Sequence, residues 1–331
     1  MNENKILLEC YFAPAAGANA FLADIFNLIF DKLKILYPKF EFKNILPNEG
    51  ICVIPPNNVY GSSGGLVSFQ IRNPINNKVI FLSFCDRGIE FNECVDAWAP
   101  MLEKYEIVQY IGGLGVSLSN EEIYDKYKIK RFNFLPYLST GNHRDLFKDC
   151  ITDYDIDSKE RKVCFFTSLY YPRTEICDIL VKHPLFEIKT SKRDKSYYAD
   201  LRDSEYFNAV SKFRMGLSLN GAGEVSIRDF EYFGLNIPCI RPLLLTKFSP
   251  EIIPDIHYIP FDFCSPTANQ YYSQSSDEIA DLIIDKVEKT IDDVEKLKAV
   301  SKQANEYYKK YLNVPYLVES FFKICDLDKL I

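Results

Sequence analysis

The chain has 331 residues, a net charge of −7 and an aromatic content of 15%, including 25 Phe and 22 Tyr. That length supplies two domains of ordinary size, each with its own core, and the aromatics supply large buried clusters. The acidic balance argues against a general nucleic-acid binder, which needs a basic surface, and leaves room for a small basic pocket.

Residues 5–12 form an apolar run of strand length. Residues 19–36 carry a helical period through Phe21, Leu22, Ile25, Phe26, Leu28, Ile29 and Leu33. Small residues at 13–18 separate the two, with Asn19 placed to cap the helix. Further strands are expected at 50–54, 66–71, 78–84, 107–111 and 132–138, and a helix at 91–105. Residues 139–160 are polar and charged, with turn formers at the start, and read as a linker. The pattern then restarts. Strands are expected at 162–167, 186–190, 215–219, 237–240 and 257–260, and helices at 174–181 and 206–213. A short amphipathic helix carries Ser226, Arg228 and Glu231, and a long helical region spans 277–326 with a break near Val314-Pro315. Strands alternating with helices predict largely parallel sheets. Two such blocks predict an α/β protein of two Rossmann-like domains, residues 1–150 and 151–331. Ligands bind at the carboxyl ends of strands in open parallel sheets, here expected in the cleft between the domains.

The ten cysteines are scattered, none in a C-x-x-C pair, and there are only three histidines, so no zinc site is expected. Free cysteine in these apolar runs reads as a small core residue. Ten reduced thiols fit a reducing compartment, and the cytoplasm is the expected location. The first ten residues show no signal peptide. No run approaches the ~18 apolar residues of a membrane span, and peripheral contact with a membrane is left open. The D-x-D spacings in Asp153–Asp157 fall in the linker and read as a solvated acidic turn, so no metal is expected.

The most informative stretch is Met215 to Pro242. An apolar strand runs into Asn220-Gly221-Ala222-Gly223, then a helix bearing Ser226, Arg228 and Glu231, then a second strand entered through Pro238. A loop of small residues brings backbone N–H groups close to a ligand, and the helix start adds a positive dipole end suited to phosphate. Arg228 supplies a bidentate cation, with Glu231 almost one turn further along the same face. The bland alternatives are a plain turn into a helix, an Arg228–Glu224 surface pair, and a solvated Glu231.

The order of strand, glycine loop, arginine, glutamate, G-x-x-x-P and strand resembles the donor site of GT-B-type glycosyltransferases. The nearest patterns are those of the exostosin-like and spore-maturation (CgeB-like) groups. The resemblance covers residues 162–311 and implies transfer of a sugar from a nucleotide-sugar donor to a glycan or lipid-linked acceptor, with no catalytic metal and no further cofactor. It implies that Asn220, Gly221, Gly223 and Ser226 cradle the diphosphate, and that Arg228 neutralises the departing phosphate. Glu231 would accept the donor ribose hydroxyls. Many retaining members carry two glutamates eight residues apart, whereas Glu224 and Glu231 are seven apart, so the stereochemical class stays open. A binding module without turnover and a sugar-nucleotide epimerase are the alternative readings.

Lys192 and Arg193 follow the strand at 186–190, at an edge where either meets a phosphate or lies in a solvated turn. In the first half, Asp86 stands at the end of the strand at 78–84. It is the first candidate for the base that takes an acceptor's hydroxyl proton, with Glu90 second. Residues 13–19 and 60–65 are loops open to acceptor binding. His257-Tyr258 resembles the family's late strand near base and sugar.

Overall fold

Two sheets organise the chain. A computed structural model describes residues 6–12, 31–44, 67–73, 78–84, 108–112, 130–134, 154–167, 173–190, 203–220, 225–244, 250–263 and 274–324. The chain divides into two compact units. One takes Met1–Leu138, Thr246–Pro250 and Tyr311–Ile331, the other Ser139–Leu245 and Glu251–Lys310.

The first unit holds β1 (Ile6–Phe12), β2 (Phe40–Asn44), β3 (Val67–Asn73), β4 (Lys78–Phe84), β5 (Val108–Gly112) and β6 (Lys130–Phe134). They form one sheet in the order β2-β1-β3-β4-β5-β6. β1 runs parallel to β2, and β4, β5 and β6 run parallel to one another. β3 is antiparallel to both its neighbours, a departure from the expected parallel pattern. The reason is local. Only Pro74 to Asn77 separate β3 from β4, with Asn73 opposite Lys78, and a parallel return needs a crossover of about a dozen residues. β2 is not among the expected strands, although Phe40 and Phe42 alternate with Glu41 and Lys43 in period 2.

The second unit alternates strand and helix from β7 to β10. It contains β7 (Glu160–Thr167), α1 (Arg173–Leu180), β8 (Phe186–Thr190), α2 (Asp203–Val210), β9 (Phe213–Leu217) and α3 (Ile227–Gly234). It continues with β10 (Cys239–Pro242), β11 (Ile259–Phe261), α4 (Ser276–Thr290) and α5 (Val294–Tyr311). α6 (Val314–Ile324) falls in the terminal segment grouped with the first unit. All four strand pairings are parallel, in the order β11-β10-β9-β7-β8. This is a doubly wound sheet whose first strand lies between the second and the third.

β7 is buried along its last five residues, as a central parallel strand must be when helices cover both faces. Val163 and Phe165 join a cluster with Ile176 and Leu180 of α1 and Ile279, Ile283 and Val287 of α4. Cys164 and Phe166 meet the other layer: the Cys164 thiol donates to the Val210 carbonyl, and Phe166 lies edge-on to Tyr206 of α2. β8, at the sheet's edge, alternates buried and half-buried residues instead.

The C-terminal helical region breaks twice, at 291–293 and 312–313, where one break near Val314-Pro315 is expected from sequence. Asp293 starts α5 by accepting from Lys296 N–H at 3.1 Å, and Asn313 starts α6 by accepting from Tyr316 N–H at 2.9 Å. Pro315 therefore sits in the first turn of α6, where its missing N–H costs nothing.

Candidate functional site

The site assembles at the carboxyl edge of the second sheet. From β7 the chain passes to β8 on one side, while β9, β10 and β11 lie on the other. α1, which follows β7, and α3, which follows β9, therefore lie on opposite faces, and the opening between such strand ends is where doubly wound sheets take ligands. Arg173, the first residue of α1 and only 6% exposed, spans this opening. Its Nε donates to the Asn220 carbonyl at 3.0 Å and its Nη2 to the Leu219 carbonyl, while Nη1 reaches Thr167 Oγ1 at 3.4 Å. One buried guanidinium thus ties the end of β7 to the chain leaving β9.

Asn220 and Ser226 bracket residues 221–225, and each is held through both main chain and side chain. The Asn220 carbonyl takes the Arg173 bond, and its Oδ1 accepts from Arg241 Nη2 at 3.3 Å. Ser226 N–H donates to Asp229 Oδ2 at 2.7 Å, and its hydroxyl lies 3.0 Å from that of Ser218. Asp229 closes the circuit by pairing with Arg241 at 3.1 Å, both side chains being 2% exposed. The Cys239 thiol also donates to Asp229, and the Arg241 guanidinium lies over the Tyr258 ring. An unpaired charge at such depth would be costly, so the ion pair and its hydrogen bonds satisfy one another. A single buried pair anchors both Asn220 and Ser226.

Beyond Ser226, α3 carries Arg228 and Glu231. Arg228 Nη1 donates to Tyr206 Oη at 2.7 Å, and Tyr206 donates in turn to Glu231 Oε2 at 2.9 Å. The guanidinium also lies 5.5 Å from the Tyr206 ring centre and 5.9 Å from that of Phe165, within cation–π range. Glu231 is 8% exposed, so it is not a solvated helix face. The expected proximity of Arg228 and Glu231 is present, mediated by a tyrosine from another helix.

The sequence also explains how α3 lies where it does. Gly216 on β9 leaves space for Tyr232, since a Cβ there would fall 2.5 Å from the Tyr232 ring. Tyr232 is fully buried and its hydroxyl donates to the Cys164 carbonyl at 3.3 Å. Two residues past the end of α3, Asn236 lies in the left-handed region at φ 58°. Asn236 N–H donates to the Phe233 carbonyl and Ile237 N–H to the Tyr232 carbonyl, a Schellman closure. From α5, Asn305 Nδ2 donates to the Phe233 and Gly234 carbonyls at 2.9 and 3.1 Å. Both ends of α3 are therefore pinned by side chains from elsewhere in the unit.

Gly221, Gly223 and Glu224 lie outside the described residues, as do Lys192, Arg193, Asp86, Glu90 and the loops at 13–19 and 60–65. His257 precedes β11, at the strand's amino end. Its Nδ1 accepts from Ile253 N–H at 2.8 Å and its ring packs 5.0 Å from Tyr307, while burial holds its pKa below the ordinary value. Those contacts give His257 a packing role. Tyr258 Oη accepts from Leu244 N–H at 3.1 Å, beside Arg241. Cys164, Cys177 and Cys239 are fully buried, and burial pushes the Cys164 thiol up to about 12. Among the described residues no helix is long and apolar enough to cross a membrane.

Four residues of this constellation, Arg173, Tyr206, Asp229 and Arg241, were not expected from sequence. Arg241 carries a readable signal, because a charge in the apolar run Cys239-Ile240-Arg241-Pro242 demands a buried partner. Tyr206 carries none beyond its place on a helix.

No protein-family model and no curated protein matches the chain. Among solved structures, the chain is similar to a glycosyltransferase from Rickettsia africae at 12% identity and TM-score 0.46, covering 98% of each chain. It is similar to Anabaena HepE, solved with UDP-glucose, at 10% identity and TM-score 0.45, covering 99% of this chain and 100% of that one. It is also similar to the pneumococcal O-GlcNAc transferase GtfA, solved with UDP and GlcNAc, at 10% identity and TM-score 0.42. That likeness covers 71% of this chain and 47% of GtfA, so the chain spans about half of the longer protein.

Proposed function

We propose that this protein is a GT-B-type glycosyltransferase that moves a sugar from a nucleotide-diphosphate donor to a glycan or lipid-linked acceptor. Its motif order resembles that of the exostosin-like and CgeB-like groups. The observation that carries the reading is the Arg228–Tyr206–Glu231 constellation, set beside the anchored Asn220 and Ser226 at the switch point of a parallel sheet. A cation and a buried carboxylate on one short helix match the two ends of a nucleoside diphosphate: phosphate and ribose. Arg228 stabilises the negative charge that grows on the diphosphate as the sugar–oxygen bond breaks, the kind of electrostatic help that strengthens toward the transition state. In this reading residues 151–331 bind the donor and residues 1–150 the acceptor. Lys192 and Arg193, just past the carboxyl end of β8, add positive charge near the phosphates. Asp86, just past the end of β4, takes the acceptor proton. No metal is required, because Arg228 supplies the charge a metal would. The reaction runs in the cytoplasm, where the protein's thiols stay reduced.

A thermal-shift screen of UDP-, GDP- and CDP-sugars tests the reading, followed by assay of free nucleotide release with and without acceptor glycans. Stabilisation by one nucleotide class and acceptor-stimulated release support it. Stabilisation without release indicates a binding module, and no response to any nucleotide sugar sinks the proposal.

A further inference from the structure

We propose that the Tyr206 hydroxyl positions Arg228 and Glu231 and thereby gives the donor site its preference for a ribonucleoside diphosphate; this rests on the donor-site reading above. Arg228 and Glu231 lie three residues apart on α3, a spacing at which an acid and a base pair directly on a helix surface. Instead the phenol of Tyr206, from α2, stands between them. A phenol has one proton. Accepting from Arg228 therefore commits that proton to Glu231 Oε2, and the direction of the chain of bonds is set.

The ring that carries this hydroxyl is itself fixed. It lies edge-on to Phe166 and Phe207, with centroids 6.5 and 5.4 Å away, and under the Arg228 guanidinium. The hydroxyl can then act as a spacer. It satisfies one oxygen of a nearly buried carboxylate and aims the other, Oε1, at an incoming hydroxyl. Without it, Glu231 would turn to Arg228 for its hydrogen bond, and acid and base would neutralise each other away from the ligand. Tyr206 is a positioning residue, with its effect exerted through the two side chains it joins.

The test compares wild type, Tyr206→Phe and Arg228→Ala by calorimetric titration with UDP, GDP and CDP. Whichever binds is then compared with its 2′,3′-dideoxy counterpart. Wild type should prefer the ribose form by roughly tenfold or more, the worth of hydrogen bonds to a charged group. Tyr206→Phe keeps every ring contact, and it should stay folded while losing most of that preference. A merely structural tyrosine would lower the melting temperature and leave the ratio of the two dissociation constants unchanged, which would overturn the inference. Should Tyr206→Phe fail to fold, Tyr206→His, whose ring nitrogens both accept and donate, takes its place. A retained preference there supports the role, and a folded variant without one overturns it. If wild type binds no nucleoside diphosphate, or Arg228→Ala binds as wild type does, the donor-site reading falls and this inference with it.

Discussion

Asp229 is where the bonds of the site converge, receiving the Ser226 N–H, the Arg241 guanidinium and the Cys239 thiol. Asp229→Ala removes the carboxylate that neutralises a buried cation, and should cost about 3–5 kcal/mol of stability by urea unfolding. A variant as stable as wild type would mean Arg241 is satisfied without it. His257 makes a second prediction at this scale. Burial is the larger influence on its pKa and lowers it, while the nearby Glu251 acts the other way. The unfolded chain therefore binds the proton more tightly than the folded one. Stability should be fully present above about pH 6.5 and decline as the pH falls from there toward the lowered folded value. His257→Asn keeps an acceptor for Ile253 N–H without the titration, so its melting temperature should fall less between about pH 7 and pH 5. Equal slopes would contradict this. Ser226, Arg228 and Glu231 were legible in the sequence because they share one short helix, where spacing along the chain fixes spacing in space. Tyr206, Arg173 and Arg241 were not, because each reaches the site from a different element and sequence distance says nothing about that approach.

At the scale of elements, the placement of α3 against β9 depends on the absence of a side chain at Gly216. Gly216→Ala should displace the buried Tyr232 ring and cost about 1–3 kcal/mol, the usual penalty of overpacking. Because α3 carries Arg228 and Glu231, the same variant should also bind nucleotide more weakly. Urea unfolding and calorimetry on one preparation check both, and wild-type values in each would show that α3 is not seated by this contact. Most elements could be read from periodicity, and the errors have physical causes. β10 begins at Cys239 rather than Ile237 because Asn236 and Ile237 are used in closing α3. β9 begins at Phe213, two residues earlier than the apolar run Met215–Leu219 suggests, since half-buried Arg214 interrupts the pattern without leaving the strand. The break between α4 and α5 was missed because Ile291 and Val294 preserve the apolar rhythm across it, although Asp293 is a recognisable cap. Antiparallel β3 followed from the length of one loop, a constraint that apolar periodicity does not carry.

At the scale of the molecule, the second unit is a doubly wound sheet, and its strand order was not legible at all. Alternation of strand and helix predicts a parallel sheet, but which strands become neighbours is set by the faces each helix covers. That order locates the site, because it puts the ends of β7 and β9 side by side and brings Arg173 across to the chain that leaves β9. A diphosphate on an acidic chain would need positive charge concentrated locally, and Arg173 and Arg228 stand at one edge of one sheet, the charge of Arg241 being neutralised by Asp229. If Arg228 takes the place of a metal, turnover should be unchanged in excess chelator; loss of activity restored by manganese would contradict that assignment. The central claim is that Arg228 holds the donor diphosphate and Glu231 its ribose. Steady-state kinetics of nucleotide release by Arg228→Ala, with circular dichroism as the control for folding, tests it most directly. Loss of a charge-assisted bond that strengthens toward the transition state should lower turnover by much more than roughly tenfold in a folded protein. Turnover close to wild type in a folded Arg228→Ala would show that α3 is a structural helix and that the donor site lies elsewhere.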